Sequence, residues 1–385
     1  MGHGWMKRKI LYISGTRADY GFMEPVLKKI QNHPDLEIEV IITGMHLMQE
    51  FGFTCKEVKQ NSFRVHEIEA VFDNTPESVL HYIASFLQKT PDVIRQVKPD
   101  IILVAGDRAE MLAGAIIASY MSIPLAHVSG GDVTSTIDEH IRHSITKLAQ
   151  IHFPYTDKSA ERIFLMGENR WRIYTVGSPG VEMMLQEQLV DPVTVERKYG
   201  LDPSRPYIIA LQHPVTMEAS HAADQMRTTL SAIDELDLQT IVIYPNADTG
   251  GRQMIDVICE FENHRNFHVF KSIPRREFLS LMKNAKLMVG NSSSGIVEAA
   301  SFSLPVINIG TRQEGRERGE NVIDVGYNKE EIKAAIQFAM SDASYLEQMK
   351  TCKNPYEKVG SAEKIAHILA TIPIDQNLLQ KRIRY

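Results

Sequence analysis

The stretch that decides the fold is Val289-Gly290-Asn291-Ser292-Ser293-Ser294-Gly295-Ile296-Val297-Glu298. It follows an apolar run, Ala285 to Val289, that predicts a strand, and its own apolar residues predict the start of a helix. Backbone N–H groups at a helix start bind anions, and the serines add hydroxyl groups. Glu298 lies about one helical turn beyond the serines, where its carboxylate can reach a ribose. The stretch therefore predicts a site for a nucleotide diphosphate, although on its own it also fits an ordinary serine N-cap.

The composition bounds the class of protein. A chain of 385 residues is long enough for two domains of typical size. The formal charge of −6, with no dense block of lysine or arginine, argues against a nucleic-acid partner. The widely spaced Cys55, Cys259 and Cys352 indicate neither a disulfide framework nor a zinc site, so we expect a cytoplasmic protein. No apolar run approaches the length of a membrane span, and we expect no membrane partner.

Short apolar runs alternate with helical patterns along the chain, which is typical of βα units that build parallel sheets. The expected strands are Ile10–Ser14, Ile38–Thr43, Ile101–Ala105, Leu125–Val128, Ile173–Val176, Tyr207–Leu211, Thr240–Tyr244, Phe267–Phe270, Leu287–Val289 and Val306–Ile309. The prolines at 191–192 and 202–206 predict a linker. We therefore expect two Rossmann-like α/β domains, residues 7–190 and 205–355, with the C-terminal segment 356–385 packing back on the first domain.

Nearly every unusual loop follows an expected strand, at the edge where parallel α/β sheets bind ligands. After the first strand, Arg17 can fork onto a phosphate or pair with Asp19 to fix the turn. The loop at 309–321 has three arginines among three glycines, which suits either an anion site or a solvated surface. Because such loops occur in both expected domains, we expect a ligand cleft between them.

Several motifs, in this order, resemble one known family. They are Gly15–Tyr20 (Gly-Thr-Arg-Ala-Asp-Tyr), Gly106–Arg108, Ile141–Leu148, Ala210–Thr216, Gly290–Ser293, and Gly310–Gln313 with Gly319–Asn321. The chain resembles the UDP-N-acetylglucosamine 2-epimerase family, specifically the hydrolysing branch that feeds sialic acid synthesis. The resemblance extends from about residue 9 to about residue 340.

This resemblance implies a fold and a reaction. The fold is the glycosyltransferase-B arrangement, in which two Rossmann-like domains face each other across a cleft and the second holds most of the UDP. The reaction converts UDP-N-acetylglucosamine and water to N-acetylmannosamine and UDP. It eliminates UDP to give a 2-acetamidoglucal, which is then hydrated. No metal and no cofactor are implied, and we expect a homodimer or homotetramer.

The resemblance also implies the site residues. The catalytic candidates are Asp107, Glu139, His213, Asp132 and Asp138. The candidates for binding the UDP-sugar are Arg17, Asp19, Arg142, Asn246, Ser292, Ser293, Ser294, Gly295, Glu298 and Arg312. Two plainer interpretations stay open, in which Asp107 is a helix N-cap and His213 is a hydrogen-bonded turn residue. Arg142 lies one turn along from Asp138 and Glu139, and we expect it to keep at least one of them ionised.

One position departs from the pattern, because many relatives carry a glutamate where this chain has Ser129. A serine cannot act as a carboxylate base, so Asp132 or Glu139 has to supply that charge, and the assignment of acid and base stays open. The sugar stays open too, since relatives acting on UDP-2,4-diacetamido-2,4,6-trideoxyglucose share these motifs. A glycosyltransferase of the same fold and a non-catalytic nucleotide-sugar sensor are the alternatives from other classes.

Overall fold

Two parallel β-sheets form the framework of the computed structural model, which describes residues 7–49, 52–69, 75–134, 137–246 and 248–384. The chain divides into two compact units. The first contains the described residues within 7–132, 137–183 and 358–384, and the second contains 133–134 and those within 184–357.

The first unit has a six-stranded sheet in the order β3-β2-β1-β4-β5-β6. Its strands are β1 Arg8–Ser14, β2 Leu36–Ile42, β3 Arg64–Glu67, β4 Ile101–Ala105, β5 Leu125–Val128 and β6 Ile151–Phe153. Its helices are α1 Arg17–Gln31, α2 Cys55–Gln60, α3 Pro76–Val97, α4 Ala109–Tyr120, α5 Ile137–Leu148 and α6 Asp157–Leu165, with two more from the C-terminus. Side chains alternate along β1, so Tyr12 packs into one hydrophobic cluster and Ile13 into the other. Both faces of the sheet are therefore buried under helices, as parallel sheets require.

The second unit repeats this arrangement with the order β12-β11-β10-β7-β8-β9. Its strands are β7 Tyr207–Leu211, β8 Gln239–Ile243, β9 Phe267–Phe270, β10 Leu287–Gly290, β11 Val306–Ile309 and β12 Val322–Val325. The helices of this half are α7 Pro179–Gln186, which begins in the first unit, α8 Pro192–Lys198, α9 Ala222–Asp234, α10 Gly251–Phe261, α11 Arg275–Asn284, α12 Ser293–Val297, α13 Lys329–Ser341 and α14 Ala343–Met349. Ile208 and Ile209 pack into separate hydrophobic clusters. The second sheet is therefore also buried on both faces.

The strand order reverses at one place in each sheet, between β1 and β4 in the first and between β7 and β10 in the second. Loops that leave the carboxyl ends of two such strands run to opposite faces and leave a crevice, which is where doubly wound sheets bind ligands. The predicted pair of Rossmann-like α/β folds is confirmed.

Three details of the expected layout are wrong. Ile173–Val176 is not a strand, because Ile173 makes only a single bridge to His152 of β6. The expected linker contains α8, whose N-cap Asp191 accepts a hydrogen bond from the Thr194 N–H at 2.9 Å. An Asp-Pro pair begins a helix as readily as it breaks one, and Val195 buries this helix against the second unit. The boundary between the units therefore falls at Met184, before the expected linker.

Three strands were not expected at all, and all three are edge strands. They are β3, β6 and β12, which have three or four residues each. β3 and β12 mix charged with apolar residues and β6 has only three residues, so none of the three is an apolar run that predicts a strand.

The C-terminal segment belongs to the first unit, where α15 Ser361–Thr371 and α16 Gln376–Leu379 pack. Buried Arg172 donates hydrogen bonds to the carbonyls of Leu378 and Asn377 at 2.8 and 2.5 Å. Lys381 bonds the carboxylate of buried Glu168 at 3.0 Å, and burial lowers the pKa of Lys381 to about 8. These bonds hold α16 and the segment after it against the residues that follow α6.

No helix within the described ranges is both long and apolar enough to cross a membrane.

His46 and His127 are fully buried near the carboxyl ends of the first sheet. His46 contacts Ser14 Oγ at 2.9 Å, and burial lowers its pKa to about 4. His127 contacts the Gly106 carbonyl at 2.8 Å, and burial lowers its pKa to about 3. Buried Asp19 shifts the other way, because burial raises its pKa to about 6. These shifts make the stability of the first unit depend on pH.

The sign of this dependence follows from which state binds more protons. Below about pH 6.5 the unfolded histidines bind protons that the folded ones do not, so stability falls as the pH falls. Asp19 acts oppositely between about pH 6 and pH 4, because there the folded state binds its proton, and it offsets one histidine. Buried His152, whose pKa burial also lowers, adds to the loss.

We predict that His127→Gln reduces the slope of the unfolding free energy against pH by about 1.4 kcal/mol per pH unit between about pH 6 and pH 4, because one buried histidine no longer titrates. Urea unfolding followed by tryptophan fluorescence measures the slope, since both tryptophans precede Met184 in the sequence. The same replacement at exposed His367 is the control. Equal slopes for the wild type and His127→Gln would contradict the prediction.

Candidate active site

The turn after β1 is shaped by Asp19. Its carboxylate accepts hydrogen bonds from the Thr16 and Gly15 backbone N–H groups at 2.6 and 3.1 Å and from the Ser14 hydroxyl. Thr16 and Asp19 form the capping box that begins α1. Arg17 does not pair with Asp19, because its Nε lies 3.2 Å from Glu57 Oε2. Asp19 is therefore committed to the turn, whereas Arg17 is an exposed side chain at its rim.

The end of β4 brings two predicted residues together. Asp107 follows Gly106, whose φ of +80° is left-handed, and its half-buried carboxylate forms an ion pair with Arg142 of α5. The guanidinium is almost completely buried, with 6% of its side chain exposed. The pairing of Arg142 with Asp107, which lies in another loop 35 residues earlier in the chain, was not expected. That Arg142 keeps Asp138 or Glu139 ionised stays a prediction.

The other candidate carboxylates of the first unit lie in the loop after β5 and in the first turn of α5. Asp132 is buried and follows Gly131 at the end of the β5 loop. Asp138 is exposed in the first turn of α5, and half-buried Glu139 lies 3.7 Å from His143 Nε2. Ser129 has a φ of +65°, which is unusual for a residue with a side chain. The β5 loop is therefore strained at Ser129.

In the second unit the ends of β7, β8 and β10 meet around His213. Its backbone N–H donates to Asn291 Oδ1 at 2.7 Å, and its carbonyl accepts from Asn291 Nδ2 at 2.9 Å. Its ring Nδ1 accepts the Asn246 N–H at 3.0 Å. Burial, with a smaller contribution from the charge of Arg312, lowers the pKa of His213 to about 3. The ring is therefore neutral with its proton on Nε2, and it is suited to donate a hydrogen bond.

The serine stretch begins a helix at the end of β10, as expected, but α12 is only five residues long. Ser292 is the N-cap, and its hydroxyl accepts the Ser294 N–H at 3.3 Å. Ser293 is exposed in the first turn, while Gly295 is buried against Val306. Glu298 directly follows the helix, and its carboxylate pairs with Arg275 of α11 at 2.7 Å. Sequence reasoning missed Arg275, which no motif marks.

The arginines of the loop at 309–321 bond mostly to residues of this loop and of the adjacent segments. Arg318 forms an ion pair with Asp324 and donates to the Arg316 carbonyl at 3.1 Å. Arg312 Nη1 lies 3.3 Å from the Asn291 carbonyl, next to the His213 loop. Arg318 therefore braces the loop, while Arg312 stays the predicted ligand of the UDP-sugar.

Sequence reasoning also missed Asn291 as an organiser of the site. Its side chain joins the loops after β7 and β10, and Arg312 and Gln313 both donate to its carbonyl. An asparagine directly after a strand-ending glycine was the available signal. Through Asn291, the structure brings together His213, Asn246 and Arg312 beside the serine stretch.

Within the described part of the chain, no group of three or more histidine, cysteine, aspartate and glutamate side chains is arranged to hold a metal ion.

The chain is similar to known proteins of one family. A family model described as UDP-N-acetylglucosamine 2-epimerase matches residues 28–370. The UDP-N,N'-diacetylbacillosamine 2-epimerase (hydrolyzing) of Legionella pneumophila is 36% identical over 382 residues, covering 98% of this chain and 99% of that protein. The UDP-N-acetylglucosamine 2-epimerase of Neisseria meningitidis serogroup B is 39% identical over 340 residues, covering 87% of this chain and 88% of that protein.

The fold has a close counterpart among solved structures. A crystal structure of a UDP-GlcNAc 2-epimerase from Neisseria meningitidis bound to UDP-GlcNAc superposes with a TM-score of 0.81 at 18% identity, covering 94% of this chain and 99% of that one. This chain belongs to the UDP-N-acetylglucosamine 2-epimerase family.

Proposed function

We propose that the protein is a hydrolysing 2-epimerase that converts UDP-N-acetylglucosamine and water to N-acetylmannosamine and UDP. The observation that carries the proposal is the Asp107–Arg142 ion pair at the carboxyl end of β4, where the strand order reverses. A buried guanidinium orients this carboxylate but leaves about a fifth of it exposed to a substrate. The Legionella pneumophila relative is named a hydrolysing 2-epimerase, and the Neisseria meningitidis relative is named a UDP-N-acetylglucosamine 2-epimerase.

The chemistry explains why the reaction has to pass through elimination. No carbonyl adjoins sugar C2, so removing its proton alone would leave a costly carbanion. In the first step the C1–O bond breaks and its electron pair leaves with UDP, while the C2–H electron pair forms the C1=C2 double bond. In the second step water adds across this bond, with its oxygen on C1 and a proton on the opposite face of C2. The product is N-acetylmannosamine.

We assign the proton transfers at C2 to carboxylates of the first unit. Asp107 is the first candidate, and Glu139, Asp132 and Asp138 are the others, since Ser129 has no carboxylate to offer. A carboxylate positioned within hydrogen-bond reach of the proton is the usual requirement for general acid–base catalysis.

We assign the UDP to the second unit. Negative charge develops on the β-phosphate as UDP leaves, and donors fixed in advance stabilise it. The Nε2–H of His213, the Arg312 guanidinium and the Ser293 hydroxyl are the donors that we propose. Asn246 and Ser294 line the same loops, and Glu298 would bind the ribose.

A second substrate has a specific observation in its favour. The Legionella pneumophila relative, which aligns with 98% of this chain, is named for UDP-N,N'-diacetylbacillosamine. The two sugars differ at C4 and C6 and react at the same C1 and C2 atoms. A comparison of kcat/KM for the two UDP-sugars decides between them.

We predict that NMR of the wild-type reaction in deuterated water shows UDP and N-acetylmannosamine with deuterium at C2, because the C2 proton is lost and replaced from solvent. Asp107→Asn should lower kcat by roughly 10²-fold or more while UDP affinity stays unchanged. The control is Asp92→Asn, which alters an exposed carboxylate of α3 in the same unit.

Product that keeps protium at C2 would refute the elimination mechanism. UDP-sugar that stays intact until an acceptor is added would identify a glycosyltransferase instead. Wild-type turnover in Asp107→Asn would move the proton transfers to the other carboxylates.

We predict that Ser293→Ala and Glu298→Gln each weaken UDP binding by roughly ten- to a hundredfold, the effect of losing one charge-assisted hydrogen bond of roughly 1.5 to 3 kcal/mol. Isothermal titration calorimetry measures the affinities. Ser341→Ala, at an exposed position of α13, is the control in the same unit. Unchanged affinity in both variants would exclude residues 292–298 as the UDP site.

A further inference from the structure

His127 of β5 connects the two segments that carry Asp107 and Arg142. Its Nε2 lies 2.8 Å from the Gly106 carbonyl, which can only accept, so Nε2 carries the proton. The other nitrogen, Nδ1, then accepts from the Thr146 hydroxyl at 3.2 Å. Gly106 directly precedes Asp107, and Thr146 lies one turn after Arg142 on the same face of α5. The ring therefore forms hydrogen bonds to two residues, Gly106 and Thr146, that are close neighbours of Asp107 and Arg142.

The turn before Asp107 depends on this bond. Gly106 has a left-handed φ of +80° and no side chain to hold it in place. Its N–H donates to the Val128 carbonyl at 3.0 Å, and its carbonyl accepts from the His127 ring. Both backbone groups of Gly106 are thus bonded to β5, which fixes the direction in which the chain enters Asp107.

The position of the ring is tightly confined. A Cβ atom on Gly130 would lie 2.9 Å from both His127 Nδ1 and Thr146 Oγ1, so the loop leaves room for this hydrogen bond only with glycine there. Burial, opposed by the Gly106 bond and aided by the charges of His152 and His143, lowers the pKa of His127 to about 3. The ring therefore stays neutral, and the direction of both hydrogen bonds is constant at neutral pH.

We propose that His127 is a positioning residue that holds Asp107 and Arg142 in their reactive arrangement. This inference rests on the proposed function for its consequence, since Asp107 is the carboxylate assigned to the sugar. His127 itself touches neither reacting atoms nor UDP in this assignment. Its loss should therefore lower kcat and leave KM and UDP affinity unchanged.

Variants whose side chains differ in length distinguish a positioning role of His127 from a role in packing alone. In His127→Gln the amide nitrogen reaches about as far as Nε2 and can still donate to Gly106. In His127→Asn the shorter amide lies near the position of Nδ1, so the hydrogen bond to the Gly106 carbonyl is lost. Thr146→Val removes the hydroxyl but keeps the shape, and Thr146→Ser keeps the hydroxyl.

We expect His127→Asn to lose at least about tenfold in kcat, with Thr146→Val losing less, while His127→Gln and Thr146→Ser stay within about threefold of the wild type. Melting temperatures for all variants show whether the fold is intact. If His127→Asn keeps wild-type kcat, or if kcat falls only in proportion to melting temperature across the four variants, the positioning role is refuted.

A measurement made without substrate tests the role of His127 independently of the proposed function. Hydrogen exchange of the peptide that contains Gly106 should be faster in His127→Asn than in the wild type and close to the wild type in His127→Gln. Equal exchange in all three would overturn the inference even in an active enzyme. A wild-type protein that converts neither UDP-sugar would instead refute the proposed function, while the exchange result still decides the role of His127.

Discussion

The reversal of strand order in each sheet is the constraint on which the candidate site depends. At β1 and β4, and again at β7 and β10, the loops leave adjacent parallel strands toward opposite faces. Glycine occupies the crowded positions beside these reversals. A Cβ atom on Gly15 would overlap the Glu110 carboxylate, and one on Gly290 would overlap the Leu211 carbonyl. The position of the site is thus set first by backbone geometry, and its polar groups are placed on that backbone.

In each unit, one buried polar side chain then fixes a loop that leaves a strand at the reversal. In the second unit Asn291 bonds both backbone groups of His213. In the first unit His127 and the strand it belongs to bond both backbone groups of Gly106. Such groups are costly to bury without partners, so their fully used donors and acceptors make the loops rigid as well as stable. Rigid loops are what a site needs if its donors are to be in place before charge develops.

The sequence predicts the sheets well because their central strands are continuous apolar runs, such as Ile101–Ala105. It fails where the deciding information is not local. The partner of Arg142 is 35 residues away, so the helix spacing suggested Asp138 and Glu139 instead. Glu298 meets Arg275 through the packing of α11, which no motif announces. His127 lies alone in an apolar strand, where a histidine is more often a core residue than a functional one, and only its two bonds reveal its position in the site.

The state of His213 bears on how the enzyme can stabilise a leaving diphosphate. A cationic imidazolium would attract the phosphate more strongly, but its second proton would have to occupy Nδ1, which already accepts the Asn246 N–H. The buried ring and the nearby charge of Arg312 oppose the cation further. A neutral ring that donates from Nε2 avoids that cost and needs no proton transfer when UDP returns to solution, while the arginine supplies the positive charge. In the function that we propose, proton transfer is then left to carboxylates, because their negative charge would repel the phosphates if they had to bind them as well.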